Sequence, residues 1–335
     1  MSLITLITPS YNQGQYLEQT ILSVLSHQDV AVEYMVIDGA STDNSVSIIK
    51  QFEAKLSYSE SKPDKGQSDA INKGIARATG DIFNWLCSDD YLENNALYIV
   101  KKTFNNKDVR IVSGCFITLN VDDGSLIPSR PGIRLDETAE KSFARVAMTQ
   151  PVTFWRMDDV RMFGGINERL HYFMDLEMVL KYLLYYGQNG ILEINDILAT
   201  YRVHQSSKTA LEMDNTKMLP DSAFNKEKNT IFYYLAKRFG LSITIQQAIK
   251  GLMDSVDEEY EMSPLPDNPK LDITKAINYY VYDFLRRHFY GGNVAKAYEI
   301  VWSIDKKTLD VEDAKGLKYL KRQLILWKLF NKKPC

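Results

Sequence analysis

Short apolar runs alternate with stretches of helical spacing along the first part of the chain. Leu3–Thr8 reads as a buried strand that stops at Pro9, and Gln15–Ser26 carries Leu17, Ile21, Leu22 and Leu25 at helical intervals. Val32–Ile37 predicts a second strand ending at Asp38-Gly39, Ser45–Phe52 a helix, and Leu56–Glu60 a short strand. Asp69–Ala78 is helical again, and Ile82–Leu86 is a strand that runs into Ser88-Asp89-Asp90. This alternation predicts an α/β fold whose central, mostly parallel sheet carries helices on both faces. Ligands of such sheets bind beyond the carboxyl ends of the strands. Polar residues crowd those ends here, as Thr8-Pro9-Ser10-Tyr11-Asn12, Asp38-Gly39-Ala40-Ser41 and Ser88-Asp89-Asp90.

Past about residue 110 the alternation loosens. Ile111–Leu119 predicts a strand, Asp122-Asp123-Gly124 a turn, and Pro128–Asp136, with two prolines and a glycine, a loop. Met174–Tyr185 is a helix with Leu176, Val179, Leu180 and Leu183 on one face, and Ile191–Tyr201 is a last strand region. From roughly Ser206 the chain becomes helical and aromatic-rich, which sets a boundary near residue 210 between a first region, 1–210, and a helical one, 211–335.

Composition narrows the class. In 335 residues, 45% apolar and 25% charged positions describe an ordinary globular protein of one large domain plus an appendage. Forty basic against forty-three acidic side chains leave a net charge of −3, which excludes nucleic acid as a partner on whole-molecule electrostatics. Cys87, Cys115 and Cys335 form no CxxC pair, which argues against a disulfide framework or structural zinc and for a reducing compartment. The start lacks a basic leader, and no run of ~18 apolar residues spans a bilayer. The expectation is a cytoplasmic protein that can touch the inner face of a membrane.

Two acidic sites carry chemistry. Asp38, between a strand and Gly39, can accept from a base edge or sugar hydroxyls while the glycine admits close backbone approach; a turn or helix N-cap is the plain alternative. Adjacent Asp89 and Asp90 repel each other at a buried strand's exit and call for a counter-charge, which Mg²⁺ or Mn²⁺ with hard oxygen ligands would supply. The alternative there is a solvated turn capping a helix near Asn94.

Thr5–Asn12, Val36–Asp43, Lys62–Gly66, Asp69–Gly74, Ala78–Asp81 and Leu86–Asp90 occur in an order that resembles the inverting glycosyltransferase family 2 with its GT-A fold, over about residues 3–210. The resemblance implies a donor-nucleotide site at Thr8, Pro9, Tyr11, Asp38, Gly39, Lys65, Asp69, Asn72, Ser88 and Asp89, with Tyr11 stacking on the base. It implies Asp90 as the ligand of the divalent cation that bridges the donor diphosphate. Cys87 departs from the acidic or amide residue common before Ser-Asp-Asp, so the metal would rest on the second half of that motif.

Later segments extend the resemblance. Gln150–Trp155, Phe163–Glu168 and Tyr172–Glu177 lead to Asp175, which opens an apolar helix and takes the family's catalytic-base role, with Glu177 second. Gln150, Trp155, Tyr172, Glu177 and Arg202 would shape the donor-sugar and acceptor pocket. Thr200-Tyr-Arg-Val-His204 resembles the closing motif, in which His204 meets the metal or the diphosphate and Arg202 helps hold the phosphates.

The resemblance thus implies transfer of one sugar from a nucleotide-sugar donor, a UDP-sugar before dTDP- or GDP-sugars, to a saccharide acceptor on a lipid carrier in bacterial surface-polysaccharide synthesis. Two rivals are a GT-A-like nucleotidyltransferase and a non-catalytic carbohydrate-binding scaffold. The first wants basic residues in the loop after the first strand, absent from Thr8–Gly14, and the second does not need Asp89, Asp90 and Asp175. The segment after residue 210 could complete the acceptor pocket, build a homodimer or reach a membrane. Lys315–Cys335 mixes Lys315, Lys318, Lys321, Arg322 and Lys328 with Tyr319, Trp327 and Phe330 and has no acidic residue. That pattern suits an anionic bilayer surface, or a helix docked on its own protein with lysines in water.

Overall fold

The structure is a computed structural model that describes residues 2–205, 207, 222–252 and 256–330. The boundary near residue 210 lies outside the described residues. Nine strands form one mixed sheet: β1 (Ile4–Ser10), β2 (Val32–Asp38), β3 (Tyr58–Ser61), β4 (Ile82–Trp85), β5 (Tyr91–Leu92), β6 (Ile111–Asn120), β7 (Leu126–Ser129), β8 (Thr153–Arg156) and β9 (Ile191–Val203). The first helices are α1 (Gly14–Leu25), α2 (Ser45–Phe52), α3 (Gln67–Ile75), α4 (Ala96–Thr103), α5 (Ala139–Ala144), α6 (Met157–Met162) and α7 (Met174–Tyr186). The C-terminal helices are α8 (Ala223–Arg238), α9 (Ile243–Lys250), α10 (Ile273–Tyr290), α11 (Val294–Ile300) and α12 (Val311–Phe330).

The strand order is β3-β2-β1-β4-β8-β6-β9-β5, with β7 paired to β6. The expected parallel sheet holds for β3, β2, β1 and β4 and again for β6 with β9. Between these parts β8 runs antiparallel to both β4 and β6. Its four residues, Thr153-Phe-Trp-Arg, are too few to show a period, yet their aromatic and β-branched character fits a central strand. The loop expected over Pro128–Asp136 begins inside a strand instead, because Asp122-Asp123-Gly124 turns β6 back into β7, and Pro128 is tolerated there on an edge.

Apolar clusters cover both faces of the sheet. Ile4, Leu6 and Val36 pack on Leu17 and Ile21 of α1, Ile48 and Ile49 of α2, and Leu97 and Val100 of α4. On the other face Ile7, Phe83, Trp85 and Trp155 meet Ile71 of α3 and Leu180 and Leu183 of α7. Gly74 of α3 lies so close to Ile7 that any side chain there would overlap it, which lets the helix settle directly on β1. The second cluster continues without a break into Phe232, Tyr280, Leu285 and Leu317, so the C-terminal helices share the core of the sheet. Each fully buried residue of this kind contributes roughly 1.5–3 kcal/mol. Among the described residues no helix is long and apolar enough to cross a membrane.

Candidate functional site

The carboxyl ends of β1, β2 and β4 lie side by side, with Ser10 in register with Asp38 and the Gly39 N–H donating to the Ser10 carbonyl at 2.9 Å. Asp38 is 0% exposed, and its carboxylate accepts from Ser41 N–H (2.9 Å), the Ser41 hydroxyl (2.5 Å) and the Ser61 hydroxyl (2.7 Å). The Asp38 carboxylate thus ties the turn after β2 to the end of β3 at the strand-end crevice. Thr8 is buried, with its hydroxyl 3.0 Å from Tyr34 OH. Pro9 is buried with it, and a side chain at Gly39 would meet the Asp64 carboxylate. Tyr11, 63% exposed, is the member of this group whose ring faces outward.

The acidic loop is held from beneath. Thr20 of α1 shares its hydroxyl between the carbonyls of Ser88 (2.8 Å) and Asp90 (2.6 Å). Arg202, buried between the rings of Tyr16 and Tyr91, donates to the Asp89 carbonyl and to Gln19 Oε1. Both contacts hold the acidic loop against α1. His204 Nε2 lies 3.1 Å from Asp89 Oδ2, with its ring 4.8 Å from that of Tyr16. It stands beside the acidic pair as a partner of Asp89.

Cys87, Asp89 and Asp90 form a group whose ligand atoms all lie within 4.8 Å of one another. Asp90 is 1% exposed; Oδ1 accepts from the Arg202 N–H at 2.9 Å, while Oδ2 is buried with no hydrogen-bond partner. Burial, and next the Asp89 charge, hold the Asp90 carboxyl well above the ordinary carboxylate range. A buried carboxylate oxygen without a partner is costly, and a divalent cation would satisfy it, so the residues present fit such an ion. Gln150 supports the group: its amide donates to Asn84 Oδ1 (2.8 Å) and the Trp85 carbonyl, and its Oε1 lies 3.8 Å from Cys87 Sγ.

The N-terminus of α3 borders the same loop. Gln67 Nε2 is 3.3 Å from Cys87 Sγ, and the Ser68 hydroxyl lies 2.8 Å from Met174 Sδ, one residue before Asp175. Asp175, half-buried in the first turn of α7, accepts from Leu176 N–H at 2.8 Å. The acidic pair and the expected base thus belong to elements that meet at one helix end. Lys65, 81% exposed on its side chain, lies just before α3 with its ammonium 3.9 Å from Glu168.

Several expected contacts are structural. Asp69 accepts from Lys65 N–H (3.0 Å) and pairs with Lys73 (3.1 Å). Asn72 exchanges hydrogen bonds with the backbone of Ile166 (2.8 and 2.9 Å), pinning a loop where Gly165 adopts φ +76°. Glu177 is 0% exposed, bound to Tyr260 OH (2.6 Å), Asn167 (2.8 Å) and Lys181 (3.4 Å), and Trp155 is buried edge-on to Tyr182. Both side chains lie on element faces turned to the core. Tyr172 remains partly exposed, with its N–H given to Glu227 (2.9 Å).

Sequence reasoning missed Gln19, Thr20, Gln67 and Glu227. Thr20, buried on a helix face otherwise lined by Leu17, Ile21 and Val24, is a polar break in an apolar stripe and so was detectable. The others sit at ordinary polar positions and carry no such signal.

Residues 5–160 match the family described as Glycosyl transferase family 2. An uncharacterized glycosyltransferase of Nostoc sp. is 33% identical over 131 residues, 36% of this chain and 38% of that protein. The putative teichuronic acid biosynthesis glycosyltransferase TuaG of Bacillus subtilis is 34% identical over 98 residues, 28% of this chain and 39% of that protein. The chain thus spans well under half the length of these two relatives. The crystal structure of S. aureus TarS 1-349 in complex with UDP-GlcNAc superposes with a TM-score of 0.59 at 15% identity, covering 99% of this chain and 93% of that one. That likeness establishes the fold as GT-A. Residues 5–160, which contain the strand ends and the acidic pair, belong to glycosyltransferase family 2.

Proposed function

We propose that the chain is an inverting glycosyltransferase that moves one sugar from a nucleoside-diphosphate sugar, a UDP-sugar, to a hydroxyl of a saccharide acceptor. The observation that carries this reading is the unpartnered, buried Asp90 oxygen beside Asp89 and Cys87 at the carboxyl end of β4. When bound, a divalent cation would neutralise the negative charge that develops on the departing diphosphate. The exposed Tyr11 ring offers a stacking face for the base, and the Lys65 ammonium adds positive charge at the α3 end. Thr20, Arg202 and His204 keep the acidic pair in register by fixing its carbonyls and the Asp89 carboxylate.

The acceptor oxygen attacks the anomeric carbon opposite the leaving diphosphate, so the configuration inverts. Asp175 accepts the hydroxyl proton as the new C–O bond forms and the old one breaks. A carboxylate is a weak base toward an alcohol, so proton transfer comes late, once bonding to carbon has acidified the hydroxyl. Among GT-A enzymes, TarS was crystallised with UDP-GlcNAc, which supports a UDP-sugar donor here. The name of TuaG, a putative teichuronic acid biosynthesis glycosyltransferase, supports a place in surface-polysaccharide synthesis.

Residues 315–330 add a membrane-facing element. The inner face of α12 packs Leu317, Leu320 and Leu324 on the protein, while Tyr319, Ile325, Leu326, Leu329 and Phe330 stay exposed among Lys315, Lys318, Arg322 and Lys328. Docking on the protein and peripheral contact with anionic lipid thus use different faces of one helix. Residues 331–335 lie outside the described residues. Two measurements test the proposal. A thermal-shift screen of UDP, dTDP, GDP and their sugars with Mn²⁺ should show stabilisation by about 2.7 kcal/mol at 100 times the dissociation constant. No shift with any of them would overturn the donor reading. Flotation with anionic vesicles, unchanged on deleting 315–335, would remove the membrane element alone.

A further inference from the structure

The loop leading into α7 is held by a residue far from it in sequence. Glu227, in the first turns of α8, accepts from the backbone N–H groups of His171 (2.8 Å), Tyr172 (2.9 Å) and Phe173 (2.8 Å). One carboxylate therefore satisfies three consecutive donors immediately before α7. The next residue reinforces the grip: the Lys228 ammonium lies 5.9 Å from the centre of the Phe173 ring, and that ring packs 4.9 Å from Phe224. Asp175 follows Phe173 by two residues, so the loop's path sets the direction in which its carboxylate leaves the helix.

A carboxylate suits this place for a definite reason. Its two oxygens only accept, and they accept more strongly than neutral groups. An amide in its place offers one acceptor and turns an N–H toward other N–H groups. We propose that Glu227 is a positioning residue for the transfer step: it fixes residues 171–173 and so holds Asp175 where it meets the acceptor proton. The helical C-terminal region then takes part in the chemistry by placing a group it does not itself contain. This rests on the reading of Asp175 as general base. A displacement of about 1 Å in a reacting group can cost ~10²-fold in rate, and loss of the three-donor anchor is a perturbation of that kind.

The full chain decides the matter, with UDP-GlcNAc and Mn²⁺ as the probe and water standing in for the acceptor. Glu227→Gln should lower kcat about tenfold to a hundredfold with donor KM within about twofold, and Glu227→Asp should recover part of the loss. Amide hydrogen exchange across 171–173 should speed up about tenfold or more in Glu227→Gln. On an Asp175→Asn background the same substitution should add little, because both act on one step. Wild-type kcat in Glu227→Gln beside an inactive Asp175→Asn would overturn the Glu227 proposal alone. Parallel loss of kcat, donor binding and thermal stability would make Glu227 a general structural residue and overturn it too. Wild-type turnover in Asp175→Asn would sink the base reading itself and take the Glu227 proposal with it. Should Glu227→Ala not fold, the isosteric glutamine variant still gives each of these outcomes.

Discussion

The two halves of the site are built in opposite ways. Around Asp89 and Asp90 the functional groups sit at strand ends and in the turns that follow, within residues 5–160, and their supports in that stretch include Thr20 and Gln150. Around Asp175 the loop is fixed by Glu227 from a helix more than fifty positions on, and the helix behind it is locked through Glu177 to Tyr260. Arg202 and His204 at the end of β9 complete the support of Asp89 and Asp90, so the acidic pair leans on the sheet while the loop before Asp175 leans on the C-terminal helices. Under the proposed function, the acidic pair is the donor half and Asp175 the acceptor half.

The sharpest way to break this contrast is to remove each acid. Asp90→Ala should abolish donor stabilisation by UDP with Mn²⁺ and lower turnover by at least ~10²-fold, read by thermal shift and sugar-nucleotide hydrolysis. Asp175→Asn should lower turnover by ~10²–10⁴-fold while that stabilisation survives. If both variants lost donor binding equally, the division into a donor half and an acceptor half would fail.

A smaller effect concerns the acceptor-side scaffold. Burial pushes the Lys228 ammonium down to about 7, although the rings of Phe173, Phe232 and Tyr280 at 5.6–5.9 Å replace part of its lost hydration. Its folded value lies below the ordinary ~10.4, so between pH 7 and 10 the unfolded chain keeps a proton that the folded one has shed. Stability should therefore rise with pH through that window, and the cost is at its fullest below pH 7. Lys228→Met should flatten the rise and raise stability near pH 6 by roughly 1–4 kcal/mol in denaturant titrations. An unchanged pH slope would show that this lysine keeps its charge.

On the donor side, Thr20→Val keeps the shape and removes the hydroxyl shared by the Ser88 and Asp90 carbonyls. It should cost about 1–3 kcal/mol and weaken UDP binding with Mn²⁺, without the faster exchange at 171–173 expected of Glu227→Gln. Faster exchange there would mean the halves are coupled. The smallest effect lies at the seam between α5 and α12. There the Lys141 hydrogen bond holds the Asp310 carboxyl down at about 2, and Lys141 also meets Asp313. The stabilisation is complete above ordinary carboxylate values and is lost as pH falls through about 2, so Asp310→Asn should soften the acid limb of unfolding. A partly exposed pair of this kind contributes little beyond that limb.

Most of the first four strands and their helices were legible because the apolar runs are short, regular and bounded by polar turns. β8 was not, since Thr153-Phe-Trp-Arg is too short to show a period, and its antiparallel insertion depends on what lies beside it. Asp89 and Asp90 stood out as adjacent acids at a strand exit, whereas Asp175 stood out only through the family resemblance. What the sequence could not show is how Thr8, Asp38, Asp69, Asn72, Trp155 and Glu177 are partnered inside the protein, because most of those partners come from other elements.

Local order along the chain therefore determined the α/β alternation, the family and the identity of the acids. Those depend on backbone periodicity and on side-chain type, which neighbouring residues express without help. Tertiary structure alone decided which acids have an unsatisfied oxygen, which are consumed by hydrogen bonds, and that Glu227 holds the loop before Asp175. The physical reason is that desolvation and hydrogen-bond satisfaction belong to a place in space, and residues distant in sequence meet there only after folding.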